Sequence, residues 1–248
     1  MSVIYTLWLR ELKRHLRSRS RIVGSLGRPM LFLIVLGFGL GPVFARAGAG
    51  NYFQFLVPGV ICMEILFTAV FSGVQVIWDR QFGFLKITLV APVSRFEIML
   101  GKTFGGATVA AIQGFIIFLI SLIVGFRIQN LALLPLALVF IFLIAILFTA
   151  LGITIASLLE DAQGFHLIMN FLVMPLFFLS GALFPLSEIP KILLIIVSIN
   201  PLSYGVDGLR GTLINDAYFG LTVDLLVLSV VTGLFLLIGS YLFSKIQI

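Results

Sequence analysis

A charged connection between two long apolar stretches of this chain reads Trp78-Asp79-Arg80-Gln81-Phe82-Gly83-Phe84-Leu85-Lys86-Ile87-Thr88-Leu89-Val90-Ala91-Pro92-Val93-Ser94-Arg95. It is too short to form a domain, yet its mixture of apolar and basic residues is unusual for a passive linker. Each flanking stretch has the length, about 20 residues, that a helix needs to cross the hydrocarbon core of a bilayer. The pattern predicts membrane-spanning helices joined by a connection through which a separate protein transmits energy or signals.

The composition of the whole chain is that of a membrane protein. The 248 residues are 60% hydrophobic and 10% charged, and the mean hydropathy is +1.20. Soluble domains carry about a quarter charged residues, so this chain lacks the polar groups to cover a water-exposed surface. In lipid the backbone must form helices or a closed barrel. The apolar runs are continuous and lack the alternation of barrel strands, so we predict an all-α integral membrane protein.

Charge and cysteine content exclude several other functions. The net charge of +6 comes from basic residues beside apolar spans, which favours contact with the lipid bilayer rather than with nucleic acid. The single Cys62 allows no intramolecular disulfide, and no Cys/His spacing indicates a metal site. Gly101-Lys102-Thr103 lacks the earlier glycine of a phosphate-binding loop. We therefore expect no cofactor on this chain and any ATP on another protein.

The first 22 residues predict a cytoplasmic interfacial helix. Apolar residues recur there at helical spacing, and basic residues occupy the other faces, as in helices that lie in the membrane interface. No small-residue cleavage site follows a short apolar core, so the segment is not predicted to be a signal peptide. The alternative is a disordered basic tail.

Residues 23–248 predict a single domain of six membrane-spanning helices. The spans are expected at 26–44, 53–77, 104–125, 131–159, 165–184 and 221–243. Lys and Arg are concentrated in the pieces that share a side with the N-terminus, which predicts both termini in the cytoplasm and a plasma (inner) membrane location. The connection 78–102 then lies on the cytoplasmic side.

The segment 185–220, between the fifth and sixth spans, predicts an external re-entrant helical segment. Prolines and glycines divide it, and its apolar run from Lys191 to Ile199 is too short to span a bilayer. Irregular backbone at membrane depth is tolerated where protein or a water-filled cavity covers it. We expect one or two short helices at the outer membrane edge.

Polar residues within the predicted spans are the remaining candidates for function. Glu64 lies near the middle of the second span, where an acid is costly and faces a partner or a cavity. It either contacts protons or substrate, or is a protonated or hydrogen-bonded acid that holds helices together. Gln75, Gln113, Asn170 and Asp224 favour helix–helix hydrogen bonds over ligand contacts. The spacings Gly37-x-x-x-Gly41 and Gly101-x-x-x-Gly105 favour close helix approach.

Three blocks of sequence support a more specific comparison. They are the connection 78–102, the block Phe165 to Leu186 with Phe178-Leu179-Ser180-Gly181-Ala182-Leu183-Phe184-Pro185-Leu186, and the block Asn200-Pro201-Leu202-Ser203-Tyr204-Gly205-Val206-Asp207-Gly208-Leu209-Arg210. With them, the chain resembles the type-2 ABC exporter permeases of the daunorubicin-resistance-like group. The resemblance implies export, drug resistance, a homodimer of permeases, and two cytosolic ABC ATPase subunits that bind the ATP and Mg.

The resemblance also implies a coupling helix, placed at about Phe82 to Pro92, that sits in a groove of the ATPase. The residue types in this stretch agree with a coupling helix. Apolar side chains that could pack into a groove lie among basic ones, and Pro92 would end a short helix. The predicted ATPase-coupling residues are Arg80, Phe82, Phe84, Leu85, Lys86, Leu89, Pro92 and Arg95.

The second and fifth spans are expected to line a translocation path at the dimer axis through Glu64, Asn170 and Phe178. The external segment would close this path through Gly181, Pro185, Pro201, Tyr204, Gly205, Asp207 and Arg210. Few polar residues lie within the spans, which favours a hydrophobic or amphipathic cargo. The alternatives are a permease for polysaccharide or lipid-linked glycan, a proton-coupled secondary transporter that uses Glu64, and a membrane scaffold that transports nothing.

Overall fold

The computed structural model describes residues 3–46, 51–85, 88 and 93–246, and every regular element within them is helical. The helices are α1 Val3–Arg17, α2 Arg19–Leu31, α3 Gly41–Arg46, α4 Tyr52–Ser72, α5 Val74–Gln81, α6 Arg95–Val124, α7 Leu134–Leu158, α8 Ala162–Phe178, α9 Lys191–Ile199, α10 Pro201–Ile214 and α11 Leu221–Ser244. A π-helical stretch, Phe32–Phe38, continues α2. The prediction of an all-α membrane fold is confirmed.

Four stretches are long and apolar enough to cross a membrane: Tyr52–Gln81, Arg95–Val124, Leu131–Leu158 and Leu221–Ser244. They cover the predicted second, third, fourth and sixth spans. The predicted fifth span corresponds to α8, which is apolar but has only 17 residues. The predicted first span, 26–44, overlaps Ile22–Phe38, which forms a pair with α1 bent by 74°, and it runs on into the separate short helix α3. Counting each bent pair of helices as one span raises the total to six.

The connection between the second and third spans is shorter than the predicted segment 78–102. α5 continues to Gln81, and α6 begins at Arg95. Ser94 starts α6 with a capping box, because its Oγ accepts a bond from the Glu97 N–H at 3.2 Å and its own N–H donates to the Glu97 carboxylate at 3.0 Å. Lys102 therefore lies buried within α6 and not in the connection, contrary to the prediction.

The segment 185–220 contains two short helices, as predicted. α9 and α10 meet at Asn200 with a bend of 93°. The Asn200 side chain accepts a bond from the Leu202 N–H at 3.0 Å and so caps α10. Its amide nitrogen donates to the carbonyls of Leu176 and Leu179 at 2.7 and 3.0 Å, which fixes the bend against the end of α8. The external, re-entrant placement of these helices stays a prediction.

α4 lies at the centre of the bundle and is buried along nearly its whole length, with α6, α7, α8 and α10 packed around it. α1 packs along α6, where a Cβ at Gly105 would lie 2.7 Å from the Glu11 Cβ and one at Gly101 would lie 3.0 Å from the Leu7 Cβ. The predicted close approach at Gly101-x-x-x-Gly105 is thus confirmed. In the other pair of glycines only Gly37 is crowded, by the Phe53 ring.

Candidate functional site

A cavity of about 520 Å³ lies among α1, α2, α4, α5, α6 and α8, in the half of the bundle that leads to the connection between α5 and α6. Its volume is within the range of small-molecule sites, roughly 300–1,000 Å³. One part of its wall is polar and another is aromatic and aliphatic. The polar part includes His15, Arg28, Glu64, Gln113 and Asn170, and the apolar part includes Phe67, Phe71, Val74, Trp78 and Val109.

Glu64 projects into this cavity from the middle of α4. It is 3% exposed, and its Oε1 accepts a bond from the Thr68 hydroxyl at 3.0 Å, one turn further along α4. The guanidinium of Arg28, in the same cavity wall, lies 3.9 Å from the centre of the Phe67 ring. The acid is therefore hydrogen-bonded and also faces the cavity, so it combines features of both interpretations drawn from the sequence.

The N-terminal helix α1 forms one wall of the cavity. The Nε2 atoms of His15 and Gln113 lie 3.1 Å apart, and this contact joins α1 to α6. Glu11 and Arg14 form an ion pair on the same wall. Gln113 thus makes the predicted helix–helix hydrogen bond. The sequence indicated an amphipathic α1 but not its place in the cavity wall, although Glu11 and His15 do lie at the spacing of one helical face.

The structure brings together two of the three predicted path residues. Asn170 lines the same cavity as Glu64. One turn before it on α8, His166 stacks on Phe71 at a centroid distance of 5.5 Å. Phe178 lies at the far end of α8, packs edge-on against Phe177 at 5.5 Å, and is not part of the described cavity wall.

The connection after α5 presents one predicted anchor to the outside and buries another. Phe82 is 84% exposed beside a turn at Gly83, whose φ of +76° suits glycine. Phe84 is partly covered by the Arg10 guanidinium, which lies 3.6 Å from its ring centre. Leu85 is 0% exposed and belongs to the core. Its predicted role as an ATPase contact stays a prediction, and its burial within this chain does not favour that role.

The two arginines at the ends of the connection bind helix ends. Arg80 donates to the carbonyls of Ser157 and Leu159, both at 3.3 Å, and Arg95 donates to the carbonyl of Ser244 at 2.7 Å. Unpaired carbonyls at helix C-termini are favourable partners for cations. These contacts hold the ends of α7 and α11 to the connection. Three further predicted coupling residues, Lys86, Leu89 and Pro92, lie outside the described residues.

A buried ion cluster lies behind the connection. The Asp79 carboxylate is 2% exposed and accepts two bonds from the Arg10 guanidinium, at 2.8 and 3.1 Å. It also pairs with Lys102 and accepts a bond from Gln75 at 3.2 Å. α1, α5 and α6 are therefore joined through one carboxylate. In the sequence, the only indication of this cluster is the presence of three charged residues close to apolar helices.

The residues predicted to close the path are fixed by the fold at the opposite end of the bundle. Arg210 is buried, donates to the Gly181 carbonyl at 3.1 Å, and lies 3.7 Å above the Phe55 ring. Asp207 accepts bonds from the N–H groups of Tyr218 and Phe219 at 2.8 and 2.7 Å. The second and third blocks of the sequence resemblance thus meet in space.

Four more of the residues predicted to close the path stabilise local structure at this end of the bundle. The Tyr204 hydroxyl donates to the Ser198 carbonyl at 2.8 Å. A Cβ at Gly205 would lie 2.8 Å from Ile144 on α7. Pro201 occupies the first turn of α10, where its missing N–H costs no bond. Pro185 precedes the short helical turn Leu186–Glu188.

Together, these features define a polytopic, all-helical membrane protein with a polar cavity and a short connection that exposes an aromatic residue. Residues 2–214 match the ABC-2 type transporter family. The chain belongs to this family and is therefore a transmembrane permease subunit of an ABC transporter, a class that implies a partner ATPase.

Relatives cover most of the chain. A putative transport permease, ycf38, of Cyanophora paradoxa is 30% identical over 239 residues, which are 91% of this chain and 82% of that protein. The inner membrane transport permease YadH of Escherichia coli K12 is 28% identical over 231 residues, with 91% and 89% covered. Nodulation protein J of Rhizobium leguminosarum bv. trifolii is 30% identical over 191 residues, with 76% and 72% covered.

Proposed function

We propose that this chain is the permease of an ATP-driven exporter that moves a hydrophobic or amphipathic molecule, drug-like or lipid-like, out of the cytoplasm or the inner leaflet. Two copies would pair in the plasma (inner) membrane with both termini in the cytoplasm, and two cytosolic ATPase subunits would bind ATP and Mg. The observation that carries the proposal is the cavity of about 520 Å³ within a bundle of membrane-spanning helices.

The two kinds of wall in this cavity support an amphipathic cargo. Phe67, Phe71 and Trp78 offer apolar surface, while Gln113 and Asn170 offer amide groups. Binding sites for small molecules commonly combine a mostly apolar surface with a few placed polar groups. An apolar tail and a polar head would each meet a matching surface.

Coupling to the ATPase is proposed to use Phe82. An aromatic side chain that is 84% exposed beside a tight turn has the form of an interface anchor. Arg80 and Arg95 bind the connection to the ends of α7 and α11, and Arg10 covers Phe84 from α1. A displacement of the connection by the ATPase would therefore reach several helices at once.

The test replaces Phe82 by Asp in the full-length chain, with Phe82→Leu as the matched apolar control. We expect Phe82→Asp to reduce co-purification of the ATPase and vanadate-sensitive ATP hydrolysis by about tenfold or more, since an interface anchor commonly contributes 2 kcal/mol or more. Phe82→Leu should retain most of both. Full ATPase binding and transport by Phe82→Asp would refute this coupling site. Leu85 is unsuitable for the test because a buried Asp there would disturb the fold.

A second candidate cargo is a lipid-linked glycan. The aromatic rings of Trp78 and Phe71, the latter stacked with His166, stand beside amides that can bind hydroxyl groups. This combination suits sugar rings as well as drug-like molecules. Transport of a fluorescent glycolipid that is not inhibited by excess apolar drug would favour the glycan, and the reverse pattern would favour a drug-like cargo.

A further inference from the structure

We propose that the guanidinium of Arg28 binds the headgroup of the cargo, and that this headgroup is an anion, such as a phosphate, joined to an apolar tail. The inference rests on the proposed function, in which the cavity holds cargo, and adds the chemical class of that cargo. Three features carry it: the placement of Arg28, the charge of the cavity wall around it, and a row of apolar side chains that begins beside it.

Arg28 is an accessible cation that an aromatic ring supports. It lies on α2, is exposed, and lines the cavity. Its guanidinium is 3.9 Å from the centre of the Phe67 ring, which is a cation–π contact. The N–H groups along the edge of a guanidinium match the oxygens of a phosphate or carboxylate two at a time. A group suited to bind an anion is therefore held at a wall that a ligand can reach.

The charge of Arg28 is not balanced within the cavity wall. Among the described residues no acidic side chain forms an ion pair with it. Of the two acids in the wall, Glu11 pairs with Arg14. Glu64 is 3% exposed and accepts a bond from the Thr68 hydroxyl, and burial without a paired cation disfavours the ionised form of a carboxyl group. The two histidines of the wall can only add positive charge. The wall is therefore positive at Arg28, which favours an anion.

A row of apolar side chains begins beside Arg28 and suits the tail of the same ligand. Phe67, Phe71, Val74 and Trp78 line the cavity and recur at the spacing of one helical face. They lie within the apolar stretch Tyr52–Gln81, in which positions 67 and 78 are about 16 Å apart along the axis of a regular helix. A headgroup on Arg28 therefore leaves its tail beside these side chains, and Trp78 becomes a fluorescent reporter of the tail.

The experiment measures quenching of Trp78 by amphiphiles that have one brominated dodecyl chain and a phosphate, glycerol or trimethylammonium head. The protein has two tryptophans, so Trp8→Phe leaves Trp78 as the reporter in full-length protein in phosphatidylcholine nanodiscs. We expect saturable quenching by the phosphate amphiphile. It should bind about tenfold more tightly than the other two, or better, because only its head meets the charge of Arg28. Equal or tighter binding of the glycerol or trimethylammonium amphiphile would overturn the proposal.

Arg28→Gln tests the cation directly, with Arg127→Gln as the matched control at an exposed position outside the described cavity wall. Loss of the charged hydrogen bonds should weaken binding of the phosphate amphiphile by about tenfold to a hundredfold and leave the glycerol amphiphile unchanged. Arg28→Lys keeps the charge but loses the planar guanidinium and should give an intermediate loss, which provides a second variant if Arg28→Gln folds poorly. Unchanged binding of the phosphate amphiphile in folded Arg28→Gln would overturn the proposal.

Inorganic phosphate distinguishes a headgroup site from a general anion site. The free ion offers the same charge to Arg28 but has no tail to bury against the apolar row. At equal concentration it should therefore not displace the phosphate amphiphile, because burial of apolar surface adds to the affinity of the amphiphile alone. Displacement of the amphiphile by an equal concentration of inorganic phosphate would overturn the assignment of a cargo headgroup.

The failure of this inference can be separated from failure of the proposed function. ATP-dependent transport that depends on Phe82, together with no preference of the cavity for the phosphate amphiphile, would leave the exporter in place and refute the anionic headgroup site. A chain that binds no ATPase and transports nothing would refute the proposed function. Quenching that depends on Arg28 in such a chain would still support the anionic headgroup site as a binding site.

Discussion

The two ends of the helix bundle bind their buried charged side chains in different ways. At the end that leads to the connection, a single carboxylate, Asp79, is shared by side chains from α1 and α6. At the opposite end, Arg210 donates to the Gly181 carbonyl and Asp207 binds two backbone N–H groups. At the connection end, helices are therefore joined through a shared carboxylate in addition to the bonds from Arg80 and Arg95 to backbone carbonyls. At the opposite end, Arg210 and Asp207 bind backbone groups.

This difference has consequences for motion. Bonds to backbone groups fix the course of the chain itself, so α9 and α10 are held in one arrangement by Asn200, Asp207 and Arg210. Ion pairs between side chains on separate helices can exchange partners when the helices move. The cavity also lies at the connection end. We therefore expect substitutions at that end to alter coupling and binding, and substitutions at the other to act through folding.

The largest effect is expected from Asp79→Asn. The substitution leaves Arg10 and Lys102 without their charge partner, and breaking a buried ion pair on one side costs about 3–5 kcal/mol. Lys102→Met is the matched control, since Asp79 keeps Arg10 and Gln75, and it should cost much less. Thermal unfolding in nanodiscs measures both. Equal losses for the two variants would contradict a cluster centred on Asp79.

A somewhat smaller loss is expected from Arg210→Ala at the opposite end. The substitution removes a charged hydrogen bond to Gly181, for which about 1.5–3 kcal/mol is usual, and the guanidinium contact with the Phe55 ring. Arg210→Lys keeps the charge but not the planar guanidinium, so its thermal stability should lie between that of Arg210→Ala and that of the parent protein. The protein that does fold should couple ATP hydrolysis to transport normally. ATP hydrolysis without transport in well-folded Arg210→Ala would contradict the expectation that substitutions at this end of the bundle act only through folding.

The sequence predicted features that depend on neighbours along the chain. Apolar runs of sufficient length identified the spanning helices, and proline and glycine positions identified the short helices near Asn200. The close approach at Gly101 and Gly105 also followed from their spacing. Each of these is a local property of one segment.

The remaining features depend on which face of a helix meets another helix. Arg10 and Asp79 are 69 positions apart, so their pairing follows only from the tertiary fold, in which α1 packs along α6. Leu85 was indistinguishable from Phe82 as an apolar residue, but the turn at Gly83 points one inward and leaves the other exposed. The cavity wall is formed by six helices, and no single segment of sequence carries the information on how they are placed together.

The smallest effect is expected where α1 packs against α6, and it tests whether the connection end acts as one unit. A Cβ at Gly105 would lie 2.7 Å from the Glu11 Cβ, so Gly105→Ala should shift α1 at a cost of about 1–3 kcal/mol. Gly233→Ala on α11 is the matched control, because beyond the adjoining backbone of its own helix no described atom lies within 4 Å of its Cβ position. This substitution should be neutral or slightly stabilising. Since α1 carries both His15 at the cavity and Arg10 at the Asp79 cluster, a shifted α1 should weaken amphiphile binding and ATPase stimulation together. Loss of only one of them in Gly105→Ala would show that the cavity and the ion cluster respond to α1 independently.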